Sequence, residues 1–141
     1  MKLLYFNGTG QESSHNDAFF FKAFQSKLPG WEILPFFSID NLMETLKNPL
    51  ISFESIILLH MHNEEEIDKV LEQQSLFSDF DIIMILSNTS KSNSAKCYRI
   101  CPRMFFWGEP DPMTLISVLM KKAHHLQQRH PAINRDLLRY I

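Results

Sequence analysis

Two histidines raise the first chemical question. His60 and His62 follow the apolar run Ser55–Leu59 and are separated by one residue. If the strand continues through them, both side chains leave the same face. Two imidazoles on one face are half of a zinc site, and Glu64 or His15 would have to supply a further ligand. No third ligand is fixed by the sequence, so the plainer expectation is a polar strand end followed by a helix cap. A second candidate is Asn7-Gly8-Thr9-Gly10-Gln11-Glu12-Ser13, rich in glycine, hydroxyls and amides. Such a loop at a helix N-terminus can hold a phosphate through backbone amides. The plainer reading there is a turn.

These residues sit at the ends of apolar runs. Leu3–Phe6, Trp31–Phe37, Ser55–Leu59, Ile82–Leu86 and Met104–Trp107 read as strands, most of them apolar without alternation, as strands buried on both sides are. Pro35 places the second at a sheet edge, since proline cannot donate to a ladder. Between them lie amphipathic segments. One begins near Ala18, capped by Asn16 or Asp17, and buries Phe19, Phe20, Ala23, Phe24 and Leu28 before Pro29-Gly30. Another buries Leu42, Met43 and Leu46. A third starts at Asn63, with Glu66 completing a capping box and Ile67, Val70 and Leu71 inward. Thr89–Ser94 reads as a loop ahead of a short helix over Ala95–Ile100. The last helix carries Ile116, Leu119, Met120 and Ala123 on one stripe. The expected fold is α/β: a five-stranded parallel sheet, order 2-1-3-4-5, with helices on both faces.

Composition agrees. The chain has 141 residues, of which 45% are hydrophobic and 21% charged, enough for one packed core without metal or disulfide. A net charge of −2 lacks the basic excess of a dedicated nucleic-acid binder. Two cysteines, Cys97 and Cys101, make no secreted disulfide framework and are expected as reduced thiols. The apolar run after Met1-Lys2 is too short for a leader or a membrane span, so the cytoplasm is the expected compartment.

Five βα units over residues 1–126 resemble the receiver domains of bacterial two-component response regulators. Three stretches carry the likeness: Ser55-Ile-Ile-Leu-Leu-His60, Asp81-Ile-Ile-Met-Ile-Leu-Ser87, and Phe106-Trp107-Gly108-Glu109-Pro110-Asp111-Pro112 with Leu115. The resemblance implies a phosphoacceptor aspartate at the third strand's end, a Ser or Thr after the fourth, two metal-binding acids after the first, and a lysine after the fifth. Here those positions fall on His60, Ser87, Asn7 with Gly8, and Trp107 or Gly108. Only Ser87 keeps its chemistry. Aspartyl phosphorylation needs the carboxylate nucleophile and a metal to offset charge on the transferring group.

The chain is therefore expected to be a degenerate receiver, with no catalysis and no cofactor. Asn7, Gly8, His60, Ser87 and Trp107 would converge at the carboxyl ends of the strands as a vestigial pocket. By the resemblance, contacts would be made on the face of the fourth and fifth helices, near Lys96, Tyr98, Phe105 and Trp107. The partner would be another protein, a second copy, or the chain's own output domain reached through residues 127–141, a linker and short helix. No membrane or direct nucleic-acid contact is expected, and the basic residues around His124, His125 and His130 read as a solvated helix end. The alternatives are a flavodoxin-like protein holding FMN at the Asn7–Ser13 loop and the metal site at His60 and His62.

Overall fold

The computed structural model describes residues 1–8, 15–52, 54–87 and 91–129. Its strands are β1 (Lys2–Asn7), β2 (Glu32–Phe36), β3 (Ser55–Met61), β4 (Asp81–Leu86) and β5 (Met104–Trp107). Its helices are α1 (His15–Lys27), α2 (Ile39–Leu46), α3 (Glu64–Glu72), the single turn α4 (Gln74–Phe77), α5 (Lys91–Arg99) and α6 (Pro112–Arg129). The strands pair in parallel in the order β2-β1-β3-β4-β5, as expected. Among the described residues no helix is long and apolar enough to cross a membrane.

Alternate residues of each strand enter two different layers. Leu4, Phe6, Ile57, Leu59, Met84 and Leu86 pack against α2, α3 and α5. Leu3, Tyr5, Ile56, Leu58, Ile83 and Ile85 pack against α1 and α6. β3 lies at the centre, and all 7 of its residues are buried. Pro35 stands on the edge strand opposite Tyr5, where its missing N–H costs no ladder bond.

Several boundaries differ from expectation. β3 continues through His60 and Met61, because β4 offers Ile85 and Leu86 as partners there. α1 begins at His15 rather than near Ala18; the Phe19 side chain and the 9–14 loop lie outside the described set. α5 begins at Lys91, four residues before Ala95. A short helix that docks through Cys97, with Ile100 beyond its end, needs no longer apolar stripe to form. Met120 is exposed, and Leu115 is buried instead. At about 100° per residue, Leu115, Ile116, Leu119 and Ala123 share one arc of α6, whereas Met120 falls past its rim. α6 also runs to Arg129, past the expected linker start, since Gln127, Gln128 and Arg129 form helix readily and no breaker precedes Pro131. Residues 130–141 lie outside the described set.

Leu59 is fully buried on the central strand and Met113 is exposed on α6. Leu59→Ala is expected to lower the unfolding free energy by about 2–5 kcal/mol in urea titration. Met113→Ala should stay within about 0.5 kcal/mol of the parent chain. Equal effects would contradict this assignment of the core.

Candidate functional site

Strand register brings the candidate residues to one edge. Asn7 pairs with His60, and Leu86 with Trp107. The Gly8 amide donates to the His60 carbonyl at 3.3 Å, and the Ser87 amide to the Met61 carbonyl at 3.1 Å. By strand alternation Asn7, His60 and Ser87 belong to the α1/α6 side of the sheet. His60 is fully buried there, with its ring edge-on to Phe20 at 6.1 Å between centroids. Its Nε2 lies 2.8 Å from Ser87 Oγ and 3.5 Å from Glu109 Oε1. His62 stacks against it at a tilt, 4.3 Å between centroids, and places Nε2 2.8 Å from Asn7 Oδ1.

The direction of these bonds follows the tautomer of each ring. As the Nε2–H tautomer His60 donates toward Ser87 and Glu109, and as the Nδ1–H tautomer its Nε2 accepts from the Ser87 hydroxyl. His62 fits as a donor to the Asn7 carbonyl oxygen. The acid faces the same ring nitrogen as the serine, whereas a Ser-His-acid relay needs it on the opposite one. Both Nε2 atoms are engaged with oxygens, and Glu64 is drawn to Lys96. Among the described residues no group of three His, Cys, Asp or Glu side chains could hold a metal. The His15 side chain and the phosphate-loop residues Thr9 to Ser13 lie outside the described set.

Two acids near this edge were not singled out by sequence reasoning as parts of it. Gly108, with φ of 79°, turns the chain after β5 in a conformation that suits glycine, and Glu109 follows it toward His60. Glu66 does more than cap α3. Its Oε1 accepts from the His62 and Asn63 amides at 2.8 and 3.2 Å, while Asn63 Oδ1 accepts from the Glu66 amide at 2.9 Å. A Cβ at position 8 would lie 1.2 Å from Glu66 Oε2. A carboxyl group from α3 thus fills the space that a side chain at position 8 would take. Burial pushes the Glu66 carboxyl above its ordinary pKa, opposed by the His62 backbone bond and the His62 charge. The sequence did carry a signal, a glycine at a strand end together with a capping-box glutamate, but the two are far apart along the chain.

Trp107 departs from the expected convergence. Its backbone reaches the edge, but its ring lies 4.5 Å from Phe105 and 6.2 Å from Tyr98, on the α5 side. Tyr98 and Phe105 stack at 5.6 Å. The expected contact residues Tyr98, Phe105 and Trp107 are therefore one aromatic cluster, with Tyr98 58% and Trp107 50% exposed. Lys96 is turned from this cluster to α3, where it bonds Glu64 and, at 2.9 Å, Asp68. Those bonds, that to Glu64 foremost, hold its ammonium above the ordinary lysine range.

No family model and no curated protein matches the chain. Solved structures do. The chain is similar to a CheY-like response regulator receiver domain protein from Methanospirillum hungatei JF-1, at 11% identity and a TM-score of 0.66, covering 91% of this chain and 97% of that one. A CheY-like response regulator protein from Mesorhizobium loti gives 13% identity and a TM-score of 0.62, with coverage of 84% and 95%. The signal receiver domain of a modulated diguanylate cyclase from Desulfovibrio desulfuricans G20 gives 16% and 0.60, with coverage of 91% and 97%. The chain has the fold of receiver domains.

Two outcomes follow from Glu66. Gly8→Ala should destabilise by about 1–3 kcal/mol, since the new methyl must displace the carboxyl. Adding Glu66→Ala should make the double mutant less destabilised than the sum of the singles, a coupling read in a double-mutant cycle. The second concerns pH. A carboxyl whose pKa is raised on folding is protonated more readily in the folded chain. Its contribution is therefore most favourable below the ordinary value of 4.5 and is lost as pH rises through the folded-state pKa. Glu66→Gln should flatten that slope in urea midpoints measured against pH, and an unchanged slope would assign it to other groups.

Proposed function

We propose that this chain is a receiver-like regulatory module that works through protein contacts without phosphorylation and without catalysis of its own. The observation that carries this reading is the His60–Ser87 pair. At the end of the central strand, where the fold's chemistry calls for a carboxylate nucleophile, stands a fully buried imidazole 2.8 Å from a serine hydroxyl. Asn7 is engaged with His62, and the space beside Gly8 is filled by the Glu66 carboxyl. Neither offers the pair of free acids a phosphoryl-transfer metal needs. Trp107 and Gly108 supply no cation after β5. Asn7, Gly8, His60 and Ser87 are in this reading a closed remnant of a reactive site.

The contact surface is the Tyr98–Phe105–Trp107 cluster. Exposed aromatics backed by a packed layer are the residue types that dominate binding energy at interfaces. The partner is a second copy, an output domain joined through the C-terminal segment, or another cytoplasmic protein.

Intact-mass measurement after incubation with acetyl phosphate and Mg²⁺ should show no phosphoryl adduct, and sedimentation should show no change of mass. A stable acid-labile phosphate would contradict the proposal. Tyr98→Ala and Trp107→Ala should each weaken association with a copurifying partner, or self-association, by about 2 kcal/mol or more while leaving the fold intact. Association unchanged in both variants would place the contact surface elsewhere.

A further inference from the structure

A second feature lies on the opposite side of the sheet from His60. A cleft of about 250 Å³ opens between the first turns of α2 and α3, beside the end of β1. Phe6 and Ile39, both buried, form its apolar part. Glu66 and Lys69 line it from α3. Three residues apart on one helix, opposite charges ordinarily meet. Here they do not: Lys69 has no ion pair among the described residues. Glu66 is held down over Gly8 by the His62 and Asn63 amides. The Glu66 side chain is buried, at 8% exposure, and its Oε2 has no hydrogen-bond partner among the described residues. Gly8 also lines the cleft, so this oxygen lies at its base.

The opposite wall is the start of α2. Ser38 is its N-cap, yet its hydroxyl makes no capping bond. The first-turn amides of α2 are therefore not met by the cap, and they carry the positive end of the helix dipole. Among the described residues the cleft thus has an unmet carboxylate oxygen at its base, with exposed Glu65 near it, and an unpaired ammonium and helix amides at its walls. A simple anion is opposed by Glu65 and Glu66, and a simple cation by Lys69 and the end of α2. A molecule carrying both signs a few bonds apart satisfies both. The volume is below that of sites for drug-sized ligands, which start at about 300 Å³, and suits a small metabolite.

We propose that this cleft binds a free α-amino acid, its ammonium donating to Glu66 Oε2 and its carboxylate accepting from Lys69 and the first-turn amides of α2. The amino-acid side chain then lies along Phe37, an exposed ring at the rim. Binding gives Glu66 Oε2 the donor that it lacks among the described residues, and an unmet buried acceptor is costly. The site is separate from the aromatic contact surface and from His60.

The test is calorimetric titration of the 141-residue chain with individual free amino acids, with amide NMR to locate the response. At least one is expected to bind saturably, with shifts concentrated at Gly8, Ser38 to Asn41, Glu66 and Lys69. Its N-acetyl derivative, lacking the ammonium, and its amide, lacking the carboxylate, should each bind at least about tenfold more weakly. Lys69→Met changes an exposed side chain and should weaken binding by about tenfold; Glu66→Gln should do the same. If Glu66→Gln disturbs the cap of α3, Lys69→Met decides. No saturable binding by any amino acid, equal binding of the blocked derivatives, or unchanged affinity in Lys69→Met would each overturn the proposal. None of these outcomes bears on phosphorylation or on the aromatic surface, so the two readings fail independently.

Discussion

A buried imidazole on the central strand of a parallel sheet must have its polar atoms met from within the protein, because no water reaches it and unmet groups there are costly. His60 is in that position, and two oxygens beside its Nε2 come from other parts of the chain: Ser87 after β4 and Glu109 after β5. His62 packs on the same ring and ties in Asn7 at the end of β1. One polar seam therefore crosses four strand ends. In a low-dielectric setting such bonds reinforce each other, and each fixes the ring that the next depends on.

The same economy governs the neighbouring helix ends. Glu66 closes the first turn of α3 and at once covers Gly8, so capping and packing are performed by one side chain. Lys96 then joins α5 to Glu64 and Asp68 on the outer turns of α3. Oxygen atoms are plentiful at this edge, yet they point at imidazoles, amides and an ammonium.

How much of this could be read in advance depends on the range of the interaction. Strands buried on both sides announce themselves as unbroken apolar runs, and β4 and β5 lie within one residue of where the runs placed them. The Asn63–Glu66 box spans one turn, and Pro35 marks the edge by its own chemistry. Failures came with distance. The Asn7–His62 bond joins residues 55 apart, and the direction of the Trp107 ring depends on strand parity and on what α5 presents to it. Glu66 over Gly8 needs the docking angle of α3. The first turn of α5, Lys91–Ser94, reads as a loop because its local sequence favours little; the helix it begins docks through Cys97. Which oxygens reach the His60 and His62 nitrogens likewise depends on distant segments, those of Ser87, Glu109 and Asn7.

The two thiols of the chain have opposite environments. Cys97 is sealed in the core, where burial pushes its pKa up to about 11, whereas Cys101 stands exposed just past the end of α5 with φ of 60°. Thiolate is the reactive form, so burial protects Cys97 from alkylating reagents at neutral pH both by access and by its raised pKa, while Cys101 stands open to them. The natural sequence accordingly carries a single addressable attachment point, three residues from Tyr98 on the approach to β5. A fluorophore placed there would report occupancy of the adjoining aromatic surface with no engineered residue at all.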